Sequence, residues 1–375
     1  MEATVRAVIS HFYNEEYLLP WWLAHHVDLF DVGILINHGS TDRSVEIARE
    51  LAPHWRIVNS RLTQFDAALT DLEVSNYEWE LPTCWKIALN ITEFVLPARP
   101  LSEIESELTE QGRMGCACSG FIVVDDAPER APTYEQPLVL QKHWGLDDNA
   151  VQDPDLRASL GLPRIIGRNR FYHSNSTGLY TVGRHASAHP DYAYRSRDLL
   201  IFHYRFAPWT EAGVRRKTHH RDKMAPADIA RGWGAHHVNS DDEWTAQFRK
   251  VRPNAIDLSS EPAVRGALRR LTEQAKGPGQ VPAVGPRAER SLDYARIVYS
   301  LQVTGADLQA QIAHLQTKAA DAQAQVAASQ AQIAQLEARL NAQTPLLTSN
   351  TRTVDLVALV VRRLPRIVRR LFRRR

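Results

Sequence analysis

The sequence predicts an α/β protein with a mostly parallel sheet flanked by helices, followed by a C-terminal coiled coil and a basic amphipathic helix. Three observations lead there. Short apolar runs alternate with helical periodicity over the first hundred residues. A Gly- and Pro-rich stretch, 276–290, interrupts both periodicities. Beyond it the composition turns to Ala and Gln and finally to Arg.

TVRAVIS (4–10) reads as a buried strand. Helical spacing runs from Leu18 to Phe30, with Pro20 tolerable near its start. GILIN (33–37) is a second strand leading into HGSTDRSVEIARELA. There Ser40 or Thr41 is expected to cap a helix, with Asp42 in its first turn against the positive dipole end. Val45, Ala48, Leu51 and Ala52 make one apolar stripe on it. Trp55–Val58 is a third strand, 65–80 a helix and 86–90 a fourth strand, the alternation of a parallel sheet. Gly120–Val124 is a further strand ending in Asp125-Asp126, and 127–195 reads as loops with short strands. Asp198–His203 is again a strand, before a basic helical stretch, EAGVRRKTHHRDK (211–223).

The expected domains are 1–275, the linker 276–290, a coiled coil within 291–345 and a tail, 346–375. Ile312, Ala319, Val326, Ile333 and Leu340 share one heptad position, and Leu308, Leu315, Ala322, Ser329 and Leu336 the other. Small residues in that seam make it a modest coiled coil that would join copies of the chain. In the tail, Val354, Val357, Val361, Leu364, Val368 and Leu371 recur at helical spacing, with Arg362, Arg366, Arg369 and Arg373 largely on the other side. Such a helix suits an anionic membrane surface, at about 1 kcal/mol per Arg. Nucleic acid is the poorer partner, because Phe372 is the one aromatic among the arginines.

Of 375 residues, 44% are hydrophobic and 23% charged, as in a soluble globular protein. The net charge of +2 hides an asymmetry: without the eight arginines of 362–375 the body is mildly acidic. Three cysteines exclude a disulfide framework and fit a reducing compartment. Cys116 and Cys118 have no partners in sequence for a four-ligand metal set. MEATVRAVIS lacks the pattern of a signal peptide, and no run is long and apolar enough to cross a bilayer. The expected location is cytoplasmic, peripheral on the inner face of the membrane.

Motifs fall at the strand ends in order: HFYNEE (11–16), NHGSTD (37–42), NITEF (90–94) and IFHYRF (201–206), then a helix with RRK. This order resembles the family-2-like glycosyltransferases of the GT-A fold, in the branch with NE…W…H, DNxSTD and DxDEF signatures. The resemblance covers about residues 4–225. It implies transfer of a sugar from a nucleotide-sugar donor to a glycan or lipid-linked acceptor. It further implies that Asn14, Glu15, Asn37, Asp42, Asn90 and Thr92 meet the donor, with Arg215 and Lys217 beside its diphosphate. Glu93 and His203 match the positions that close the family's metal site.

The departure lies at 90–92. Asn90-Ile91-Thr92 stands where the family has two aspartates, and on one strand Asn90 and Thr92 would share a face. Mn²⁺ and Mg²⁺ favour charged oxygen ligands, and an amide with a hydroxyl supplies none. Three readings remain open: Glu93 and His203 hold a weak Mn²⁺ or Mg²⁺; transfer is metal-free, with Arg215, Arg216 and Lys217 neutralising the diphosphate; or the domain binds without turnover. An inverting transfer needs a carboxylate base, for which position nominates Asp125 or Asp126. Arg164, Arg168, Arg170, His185 and His189 add a basic region for diphosphate or acceptor.

Overall fold

The computed structural model describes residues 5–81, 84–147, 159, 170–274, 316 and 318–339. The chain separates into two compact units, 1–288 and 289–375. In the first, strands β1 (Arg6–Phe12), β2 (Val32–Asn37), β3 (Arg56–Asn59) and β4 (Trp85–Asn90) alternate with helices α1 (Leu19–His26), α2 (Ser44–Leu51) and α3 (Ala67–Glu80). There follow β5 (Glu93–Pro97), α4 (Leu101–Glu110), β6 (Gly115–Val124), α5 (Leu138–Gln141), β7 (Trp144–Asp147), β8 (Phe171–His173) and β9 (Arg195–Phe206). Helices α6 (Glu211–Thr218), α7 (Pro226–Ala230) and α8 (Asp241–Val251), strand β10 (Ile256–Asp257) and helix α9 (Pro262–Gln274) complete it.

The sheet runs β10-β7-β6-β8-β4-β1-β2-β3, with β9 beside β6 and β5. Its β4-β1-β2-β3 wing is parallel throughout, as the alternating pattern requires. Beyond β4 it is mixed: β8, β7 and β10 pair antiparallel, while β6 and β9 run parallel to each other. Side chains in the parallel wing alternate between two cores. Val8, Leu35, Ile87 and Leu89 join the large cluster with Trp22 and Leu23 of α1. Ile9, Ile34, Ile36 and Ala88 face Val74 and Tyr77 of α3.

Two histidines tie α1 to β5. His25 Nε2 donates to Val95 O at 2.7 Å. His26 Nδ1 lies 2.7 Å from Trp22 O, and its Nε2 accepts from Val95 N at 3.2 Å. Those two partners assign His26 as the neutral Nδ1–H tautomer.

Several boundaries differ from expectation. Helix α2 opens at Ser44, with Arg43 at its cap, so neither Ser40 nor Thr41 caps it. Strand β4 stops at Asn90 and Ile91-Thr92 turns into β5, so Asn90 and Thr92 do not share a strand face. Strand β6 runs ten residues, through Cys116 and Cys118. Both thiols are buried, and desolvation pushes Cys116 up to about 12, which suits core packing.

In the second unit, 318–339 is helical and exposed along its described length, Val326, Ile333 and Leu336 included. The linker 276–290, the start of the heptad pattern and the tail 346–375 lie outside the described residues. Among the described residues, no helix is long and apolar enough to cross a membrane.

Candidate functional site

Strand order reverses at β1, with β2 and β3 to one side and β4 to the other. In open α/β sheets ligands bind outside the carboxyl ends of the strands at such a point. His11 sits there, in register with Ile36 of β2 and Asn90 of β4. The loops after β1, β2 and β4 surround it.

The first two loops are stitched together by residues that the resemblance places at the donor. Asn14 adopts a left-handed conformation, φ 51°. Its Oδ1 accepts from Thr41 N at 2.8 Å, and its own N donates to Ser40 Oγ at 3.1 Å. Asn37 Oδ1 accepts from Ser40 N at 2.8 Å, while its Nδ2 donates to Asn59 Oδ1 at 3.2 Å. Asp42 accepts from Glu16 N and from Ser44 N, both at 3.0 Å. These side chains shape the crevice rim by fixing its backbone.

Glu15 is buried, and both its oxygens accept from Arg216 Nη1, at 2.8 and 3.1 Å. Burial raises its carboxyl and Arg216 opposes the rise. Of the RRK run, Arg216 is thus the residue that enters the site. Arg215 points to solvent and pairs with Glu211 one turn back. Lys217 is buried away from it, its Nζ bonded to Arg205 O and 4.5 Å from the Trp244 ring. This helical phase turns Arg215 and Lys217, both expected beside a diphosphate, toward partners other than that of Arg216.

At 90–93, the stretch expected to be an altered metal motif, the structure places a closed charge network. Glu93 is fully buried and takes both oxygens to Arg170, at 2.7 Å from Nε and 2.6 Å from Nη2. Its Oε2 also accepts from Asn90 N at 2.8 Å. Arg170 Nη1 donates to the carbonyls of Gly183 and Arg184, each at 2.9 Å. Arg184 in turn pairs with Asp71 and donates through Nη2 to Asn90 Oδ1 at 2.8 Å. Two carboxylates and two guanidiniums therefore balance. Thr92 contributes its carbonyl, which accepts from Tyr204 N at 2.8 Å. His203 faces Glu93 across the β5–β9 ladder. A divalent cation does not fit: Glu93 is committed to a guanidinium, Asn90 is neutral and bonded to another, and two fixed cations stand where a third would go. Of the expected Glu93–His203 metal pair, Glu93 is thus held by Arg170, and among the described residues no three His, Cys, Asp or Glu side chains form a ligand cluster.

Asp125 is likewise engaged. It is 1% exposed, its Oδ1 is 2.6 Å from Lys142 Nζ and 3.1 Å from Ala127 N, and its Oδ2 accepts from Trp209 N at 2.8 Å. That is an anchor for the chain after β9, not a carboxylate open to an acceptor. Asp126 is half-buried, and its carbonyl accepts from Arg252 at 2.6 Å. Arg164 and Arg168 lie outside the described residues.

Other groups converge on the crevice. Among the described residues, neither ring nitrogen of His11 or His38, nor Nε of Arg184, has a hydrogen-bond partner, although all are buried. His11 Nε2 lies 3.4 Å from Glu73 Oε2, whose carboxylate is fixed by Ser60 Oγ at 2.7 Å and Arg61 N at 2.8 Å. Burial, then Arg184, holds the His11 imidazole well below its usual range. Burial and the Lys223 ammonium push His38 down to about 4. Phe65 stacks on His38 at 4.1 Å, and Tyr13 and His220 stand 6.0 and 5.1 Å from Phe65. Lys223 Nζ donates to His38 O at 2.9 Å and lies 4.4 Å from the Tyr13 ring centre. Phe65 carries no signal of its own in the sequence, and His11 and Lys223 stand there only within longer stretches. The legible signal was position, since His11 ends a buried run and Lys223 closes the basic stretch.

No protein-family model matches the chain, and no curated protein matches it. Among solved structures it is similar to glucosyl-3-phosphoglycerate synthase from Mycobacterium tuberculosis with Mn²⁺, UDP and glucosyl-3-phosphoglycerate. That pair shares 14% identity over 46% of this chain and 57% of the other, with a TM-score of 0.27. A mycobacterial protein shares 14% over 58% and 72%, TM-score 0.30. Mannose-1-phosphate geranyltransferase from Thermus thermophilus shares 14% over 65% and 68%, TM-score 0.24. The chain spans a little over half the length of the first of these. Superpositions this loose supply no residue role and no activity for the chain.

Proposed function

We propose that the chain is a glycosyltransferase that binds a nucleotide-sugar donor in the crevice at the carboxyl ends of β1, β2 and β4. The observation that carries this reading is the group of unbonded buried imidazoles, His11 and His38, beside Lys223 at the point where strand order reverses. Buried polar atoms without partners mark a place where a ligand completes the hydrogen bonding. Phe65, Tyr13 and His220 add flat faces suited to a base.

A glycan or lipid-linked acceptor at the cytosolic membrane face belongs to the same proposal. Its support is the basic amphipathic pattern of 346–375, and the heptads of 291–345 would join copies of the chain there.

A second reading is favoured by one observation. Three carboxylates expected at the site, Glu15 toward the donor, Glu93 toward a metal and Asp125 as one of two candidate bases, are held in buried ion pairs. A domain that binds nucleotide or glycan without turnover, held at a membrane as a scaffold, would need none of them free.

A thermal-shift panel of nucleoside diphosphates and nucleotide-sugars, followed by a donor-consumption assay, separates the two. Stabilisation with donor consumption supports the transferase, and stabilisation alone supports the binding module. No stabilisation by any nucleotide overturns both nucleotide readings.

A further inference from the structure

We propose that the charge of a diphosphate ligand in this crevice is met by the Lys223 ammonium and not by a divalent cation. This rests on the nucleotide reading above and assigns the group that would do the neutralising.

The position that a metal would occupy is already filled electrostatically. Asp71, Glu93, Arg170 and Arg184 form a balanced buried set. A dication entering there would have to take a carboxylate from an arginine and strand a guanidinium inside the protein, which is costly.

Lys223 is in the opposite condition. Arg170, Arg184 and Arg216 each face a carboxylate, whereas among the described residues Lys223 has none within ion-pair distance. Its ammonium spends one N–H on His38 O, which leaves two donors for phosphate oxygens.

The backbone around it is built for close approach. Gly39 has φ +74°, and a Cβ there would stand 3.3 Å from Lys223 Nζ, within the space before the ammonium. Phe65 N donates to Lys223 O at 2.7 Å and Ala225 N to Phe65 O at 3.0 Å, so the segment carrying the lysine is fixed to the crevice wall. The ammonium lies over the Tyr13 face, beside the rings that would take a base.

The test is calorimetric titration of UDP, GDP, ADP, their nucleosides and inorganic pyrophosphate, in EDTA and in Mn²⁺. For the wild-type chain, diphosphate affinity should agree within about twofold between EDTA and Mn²⁺. K223A should weaken diphosphate and pyrophosphate binding by about tenfold to a hundredfold, leave the nucleoside unchanged, and be partly rescued by K223R. Circular dichroism and urea unfolding of K223A and K223Q separate lost binding from lost fold. Tightening by Mn²⁺ of more than about tenfold, or wild-type affinity in both K223A and K223Q, overturns the proposal. Should no nucleotide bind, the nucleotide reading fails. Lys223-dependent pyrophosphate binding would still uphold the phosphate site, and its absence would end both.

Discussion

The Glu93–Arg170 pair decides much at the scale of single residues. Both side chains are almost wholly buried and bonded bidentately, so removing one partner leaves an uncompensated charge inside the protein. R170M is expected to cost about 3–5 kcal/mol in urea unfolding, and E93L/R170M to recover most of it. An unchanged midpoint for R170M would show that the pair is not formed. The same residues explain the limits of sequence reading at the site. NITEF was legible as a strand end with a neutral replacement at its centre. Its partners were not, because Arg170 and Arg184 lie 77 and 94 residues away from Glu93 and Asn90 in sequence. No local periodicity carries such a pairing. Asp125 shows the same limit: its place after an apolar run was readable, and the Lys142 ammonium that neutralises it was not.

Elements tell a different story. Strands β1, β2 and β4 of the parallel wing were legible because a strand buried on both faces must be apolar along its length, and helices between such strands need only one stripe. The helix α2 cap failed because Ser40 and Thr41 bond to Asn14, across to another loop, which a local capping rule does not see. Strand β8, three residues long, pairs through Lys86, Gly115, Cys116 and Ala117 and leaves no pattern of its own. Packing between elements also explains why β2 contains a glycine. A Cβ at Gly33 would sit 2.0 Å from the Trp55 ring, so β2 can pass the tryptophan only with hydrogen there. G33A should lower stability by about 1–3 kcal/mol, read as a shifted urea midpoint with an unchanged slope. A midpoint equal to the wild type would mean that Trp55 moves aside freely.

For the whole molecule, the buried histidines set the response to pH. His25 is brought down to about 4 by desolvation, with the Val95 carbonyl opposing, and burial lowers His11 and His26 well below their usual range too. Each binds a proton more readily in the unfolded chain. The His25 contribution is therefore complete above about pH 6.5 and lost as pH falls toward about 4, on the order of 3 kcal/mol, and His11 and His26 act in the same direction. His26 adds a geometric reason, since a proton on Nε2 would turn the acceptor of Val95 N into a donor facing it. Glu15 and Asp71, raised by burial, pull the other way, offset in part by Arg216 and Arg184. Urea midpoints should fall between pH 7 and 5, and a constant midpoint would contradict neutral buried imidazoles.

The charge network has one more consequence, for the loop between β8 and β9. Gly178 N donates to Glu78 at 2.8 Å and Gly183 N to Asp71 at 2.6 Å, both to carboxylates planted in α3. Loop amides ordinarily trade their protons with solvent quickly. Each is held by a carboxylate that also sits in a buried pair, Asp71 with Arg184 and Glu78 with His173, so both should exchange more slowly than the amides of an open loop. Their exchange clock is set by the core, and the segment that looks most like surface in the sequence keeps time with the interior.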